Sequence, residues 1–148
     1  MATTRPARPT RVPIMDADAY RQQGQQVVPV YAVTVTATLA EINAGKAILP
    51  AVDGVAYRIV GLFALVTGAF TGLTALVIND TSDSPVAIAS IAQASLSNGA
   101  KFNESDFTLG AGFLAALGAG KGVRIGKSGG TAAGGTSVTL RVLYSLVD

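Results

Sequence analysis

Residues 59–79 read I-V-G-L-F-A-L-V-T-G-A-F-T-G-L-T-A-L-V-I-N, 21 positions without a charge. An apolar run of about 20 residues is long enough to cross a bilayer as a helix, so this stretch separates a membrane protein from a water-facing β-fold. Three glycines and three threonines interrupt it, and T-G-A-F-T-G stands at its middle where a turn would be. Both halves favour extended backbone over helix, because β-branched and aromatic residues suit a pleated, half-buried surface. The reading is two buried strands and their connection, with no membrane span.

The flanking sequence has the same character. Val27 to Leu39, V-V-P-V-Y-A-V-T-V-T-A-T-L, alternates Val with Thr from residue 33 to 36, a strand signature. Residues 41–54, E-I-N-A-G-K-A-I-L-P-A-V-D-G, read as punctuation through Gly45, Pro50 and Gly54. L-T-A-L-V-I-N-D and P-V-A-I-A-S-I-A-Q-A are further strands, separated by the turn N-D-T-S-D-S-P, in which Asp80 and Asp83 suit hydrogen bonds to their own backbone. Residues 97–110 read as loop and G-F-L-A-A-L (112–117) as a short helical turn. V-R-I-G-K (123–127) and S-V-T-L-R-V-L-Y-S-L (137–146) are the closing strands, joined by what reads as a long flexible hairpin loop. Seven or eight short strands without a long helix predict an all-β sandwich or barrel over residues 27–148. Tyr31, Tyr57 and Tyr144 fall in strand runs and read as core or interface aromatics.

Composition restricts the chemistry. The 148 residues suit one domain with an appendage, and they include no Cys, His or Trp. Disulfides and thiolate metal sites are excluded, and the commonest general base is missing. Charged residues are 14% of the chain, against roughly 25% in an average soluble domain, and the mean hydropathy is +0.45. So little charge predicts that part of the surface is covered by other protein, as in an oligomer or assembly component.

The net charge of +2 lies wholly in residues 1–26, where four arginines face Asp16 and Asp18; residues 27–148 hold seven bases and seven acids. An excess this small argues against nucleic-acid binding. The first segment carries Pro6, Pro9 and Pro13, which favour an extended path over a helix, and it lacks the apolar core of a secretory signal. It suits either an unstructured tail or an arm that orders against a partner. In the second case Arg5, Arg8, Arg11, Tyr20 and Arg21 are the candidate contacts, since guanidinium groups offer several donors to acidic or backbone oxygens.

The stretch G-K-G-V-R-I-G-K-S-G-G (120–130) invites comparison with a phosphate loop, G-x-x-x-x-G-K-[ST]. Gly126-Lys127-Ser128 supplies the ending, but the upstream Gly position is Lys121, and the Gly-rich segment that follows is a poor helix start. It reads as a strand entering a loop. Ser128 has no base to activate it, and Glu104 with Asp106 reads as a solvated acidic loop rather than a cation site.

The run from Ala44 to Thr81, and the ending G-K-G-V-R-I-G-K-S-G-G-T-A-A-G-G-T-S-V-T-L-R-V-L-Y, resemble capsid cement, or head-decoration, proteins of tailed bacteriophages. The resemblance covers most of residues 30–146 and lies in general pattern, not in an invariant motif. It implies a jelly-roll-like β-sandwich of about eight strands with an extended N-terminal arm, a homotrimer around a threefold axis, and attachment to the major capsid protein on the capsid exterior of the virion. The implied role is to stabilise the shell by bridging neighbouring capsid subunits, without catalytic residues, cofactor, nucleic acid or membrane. A tail, baseplate or host-binding β-module shares the same β-rich, oligomeric character and stands as the alternative.

Overall fold

The structure, a computed structural model, describes residues 28–147. The proposed arm, with Arg5, Arg8, Arg11, Tyr20 and Arg21, lies outside the described residues. The elements are β1 (Tyr31–Thr38), α1 (Leu39–Ala44), β2 (Lys46–Leu49), β3 (Ala56–Thr67), β4 (Ala75–Asp80), β5 (Ala87–Ala92), β6 (Lys101–Phe102), β7 (Thr108–Leu109), β8 (Val123–Ser128) and β9 (Ser137–Val147). One sheet has the order β1-β9-β3-β6 and the other β2-β8-β4-β5-β7, with every pairing antiparallel.

The pairings are nested. β4 pairs with β5, β3 with β6, β2 with β8 and β1 with β9, so the chain is one long hairpin rolled into two facing sheets. That is a jelly roll, with β7 added at the edge beside β5.

The uncharged run of residues 59–79 supplies the centre. β3 and β4 go to opposite sheets, joined by the turn around Gly68–Thr74. In β3 the inward residues Tyr57 and Ile59 precede a register shift between Ile59 and Gly61, after which Leu62, Ala64 and Val66 face inward. The bulge absorbs the extra residue that would otherwise turn half the strand's apolar side chains to solvent. Leu76 and Ile78 of β4, Ile125 of β8 and Leu140 of β9, all buried, complete the core.

Four segments differ from the sequence-based expectation. Residues 97–110, read as loop, carry β6 and β7, two-residue strands that pair with β3 and β5. The stretch read as punctuation contains α1 and β2. Thr38 and Glu41 cap that helix reciprocally: Thr38 Oγ1 accepts from the Glu41 N–H at 3.3 Å, and Glu41 Oε1 accepts from the Thr38 N–H at 3.0 Å. Residues 112–117 are not helical. They lie along the first half of β3, with the Leu114 and Leu117 N–H groups donating to the Ile59 and Tyr57 carbonyls at 3.0 and 2.8 Å; an apolar run of that length takes either form, and the open edge of β3 supplies partners. The loop after β8 is not a hairpin, because β8 and β9 belong to different sheets. Residues 129–136 cross between the sheets and are held there by Asn43, whose Nδ2 donates to the Ala132 carbonyl at 3.0 Å while its Oδ1 accepts from the Ala132 N–H at 2.8 Å.

The glycines of this crossover have a packing reason. A Cβ at Gly135 would collide with the ring of Phe70, itself 1% exposed. Gly135→Ala is therefore expected to cost about 1–3 kcal/mol through overpacking. Gly118→Ala, whose nearest atom is the flexible Lys121 chain at 3.4 Å, is expected to stay within about 0.5 kcal/mol of wild type. Thermal unfolding of the two variants checks the contrast.

Candidate interaction surfaces

The strand directions put two sets of loops at opposite ends of the sandwich. One end gathers residues 39–45, 68–74, 93–100 and 129–136. The other gathers residues 50–55, 81–86 and 110–122 with the start of β1 and the end of β9. Val28, Val30, Tyr31, Val52, Val86, Leu114 and Leu146 all lie at this second, terminal end, and they make up seven of the ten exposed large apolar residues of the described chain. The first end carries none of the ten; its exposed side chains are small, with Ala40, Ala44, Ala69, Ala94 and Ala133 beside Thr71, Thr74, Ser95, Ser97, Asn98, Thr131 and Thr136. Single exposed apolar residues are ordinary, but their concentration at one end makes it a candidate interaction surface.

Leu114 shows the same bias in its backbone. It is the one non-glycine residue among those described with a positive φ, 63°, and its side chain is 58% exposed. A left-handed conformation costs an ordinary side chain about 1–2 kcal/mol. Here that strain holds a leucine out in solvent, where burial gives nothing back, and strain of this kind gathers at functional positions.

Asp80 fixes the neighbouring loop. Its side chain is 2% exposed, and Oδ1 accepts from Ser82 Oγ at 2.6 Å, the Val86 N–H at 2.8 Å and the Ser82 N–H at 3.3 Å. The turn-forming role expected of Asp80 is thus present, and it positions Val86 at the terminal end. Burial raises the carboxyl pKa, but these hydrogen bonds and the Lys121 charge together outweigh it, so the pKa is lowered overall.

Tyrosines back the same end. Tyr144 lies 5.5 Å from Tyr31 and 5.6 Å, edge-on, from Tyr57, and the Tyr57 hydroxyl donates to the Pro50 carbonyl at 2.8 Å. This ties the base of the 50–55 loop to the core.

A second surface lies on the outer face of the β1-containing sheet. Phe63 and Leu65 project there beside Thr34 and Thr139, with Lys101 and Arg141 on either side, over a shallow, mostly apolar depression of about 400 Å³. Among the described residues, neither cation meets a carboxylate; the one salt bridge joins Lys46 to Glu41 at 2.8 Å.

The remaining sequence candidates resolve into architecture. Gly126-Lys127-Ser128 ends β8, Lys127 Nζ donates to the Gly129 carbonyl at 3.1 Å, and a loop follows where a phosphate site needs a helix. Asp106 Oδ2 accepts from the Asn103 N–H at 2.9 Å, closing a single 3-10 turn. Of the seven apolar residues at the terminal end only Tyr31 was singled out by sequence, as a core or interface aromatic, because exposed and buried valines carry the same pattern until the strands are paired.

No family model, characterised protein or solved structure matches the chain.

The Asp80 site yields a pH prediction. Because its native pKa is depressed, its stabilisation is present above the unfolded value of about 3.9 and is lost as pH falls through the lower native value. Asp80→Asn is expected to cost about 1–3 kcal/mol at neutral pH. The gap from wild type should close below pH about 4, as followed by denaturant unfolding across the range.

Proposed function

We propose that the chain is a structural virion protein that binds the outside of a phage capsid and stabilises it by bridging neighbouring subunits of the major capsid protein, as a trimer around a threefold axis. The observation that carries this reading is the polarity of the sandwich: exposed apolar side chains crowd the terminal end, and residues 1–26 join the body there, through Val28. A surface of that kind suits docking on another protein. Arg5, Arg8, Arg11, Tyr20 and Arg21 are tethered to the same end, and a second tethered attachment raises avidity without a tight single contact. The jelly-roll body and its low charge agree with a component that works by contact. Its action is mechanical, since each bridge adds an interface that must break before the shell ruptures.

Co-sedimentation with undecorated phage shells tests the reading. Full-length protein should bind, and protein lacking residues 1–26 should bind at least about tenfold more weakly, given the usual gain from linked attachments. Leu114→Asn should leave the free protein as stable or up to about 1 kcal/mol more stable, because Asn tolerates the left-handed region, while weakening shell binding. Adsorption to whole host cells with no affinity for shells would transfer the protein to the tail or host-binding class.

A further inference from the structure

The sheet edges of this sandwich are unequal. β6 and β7 are two residues long, and β2 is four with an irregular register. Short and bulged edges are the usual protection against unwanted strand pairing. β1 has none of this. It runs eight residues with an unbroken register against β9 and contains no charge and no proline. Among the described residues, no strand pairs with its other side.

Half of that edge is closed. Lys46 Nζ donates to the Thr36 carbonyl at 3.0 Å, and α1 follows directly after Thr38. The Thr36 carbonyl therefore points away from β9, and by the alternation of an antiparallel ladder the backbone groups of Ala32 and Thr34 point the same way. Tyr31 to Val35 is the open half. Its inward side chains, Val33 and Val35, pack on the core yet remain only half-buried. β2, the strand facing β1 across the sandwich, is too short to cover them all. An incoming strand would thus gain backbone hydrogen bonds and apolar cover together, while its opposite face would continue the exposed threonines.

We propose that the open edge of β1, from Tyr31 to Val35, pairs with an extended, uncharged strand of the shell protein in which every second side chain is apolar. The identity of the partner rests on the function proposed above; the chemistry of its segment is read from the edge alone. This is recognition by strand addition, in which main-chain bonds supply affinity and alternate side chains supply specificity.

Two measurements separate the claims. In the first, acetyl-Thr-Val-Thr-Val-Thr-amide is titrated into the full chain and amide exchange is followed. Slowed exchange at Ala32 and Thr34, absent with the fully N-methylated peptide, supports strand pairing; no protection there, or equal protection by both peptides, overturns it. In the second, Thr34→Pro removes an outward N–H at an edge position where proline is tolerated. Its unfolding temperature is checked, and its affinity for undecorated shells is compared with wild type. A loss of about tenfold or more, equivalent to about 1.4 kcal/mol, with the fold retained, supports the inference. Shell binding equal to wild type overturns it while leaving the function standing, whereas wild type that binds no shells defeats the function instead. A wild-type dimer by light scattering that Thr34→Pro converts to monomer would show that the edge pairs with a second copy, and would also overturn it.

Discussion

The structure depends first on the ladder between β3 and β9. Eleven residue pairs join these strands, from Ala56 with Val147 to Thr67 with Ser137, with one bulge after Ile59. Both strands lie inside their sheet, so β1 and β6 can attach only where this ladder presents its outer sides. A slip of one residue would exchange Leu62, Ala64 and Val66 for Phe63, Leu65 and Thr67 on the core side. The bulge is what lets a twelve-residue strand keep Ile59 and Leu62 both at 0% exposure.

From that constraint the two ends take on different characters. At one end the crossover loops pack tightly on each other, with Gly135 admitting the Phe70 ring and Asn43 pinning Ala132, and the exposed side chains are small, alanines among serines and threonines. At the terminal end the loops are set by polar anchors underneath, Asp80 below residues 81–86 and the Tyr57 hydroxyl below Pro50. Among what these anchors hold up to solvent are Val52 and Val86, beside the exposed Asp53 and Asp83. A monomer gains nothing from such an arrangement, whereas a protein that completes its burial against a partner does. The Leu114 backbone strain belongs to the same pattern.

Much of the fold was legible in the sequence because its signals are local. The Val-Thr alternation of β1, the T-G-A-F-T-G break between β3 and β4, and the N-D-T-S-D-S-P turn each have a short-range cause, and each stands where expected. The failed phosphate-loop match was also decided locally, by Lys121 at the upstream Gly position and by the Gly-rich segment that follows. What was not legible depends on partners distant in the chain. Residues 112–117 form an irregular segment bridged to β3 because that strand has a free edge beside them, and residues 129–136 cross between sheets because β9 pairs with β1 and β3. The interaction surface was the least legible part: composition shows that some apolar surface stays uncovered, but only the strand directions bring Val28, Val52, Val86 and Leu114 to one end.

If the chain docks on a shell as proposed, its terminal end faces the shell and the end carrying residues 129–136 faces outward. Cryo-electron microscopy of phage shells saturated with the full-length protein tests it directly. Added density is expected on the outer surface at threefold positions, with residues 50–55 and 110–122 against the capsid protein and residues 129–136 pointing to solvent. Shells without added density, or protein attached with the 129–136 end down, would contradict it.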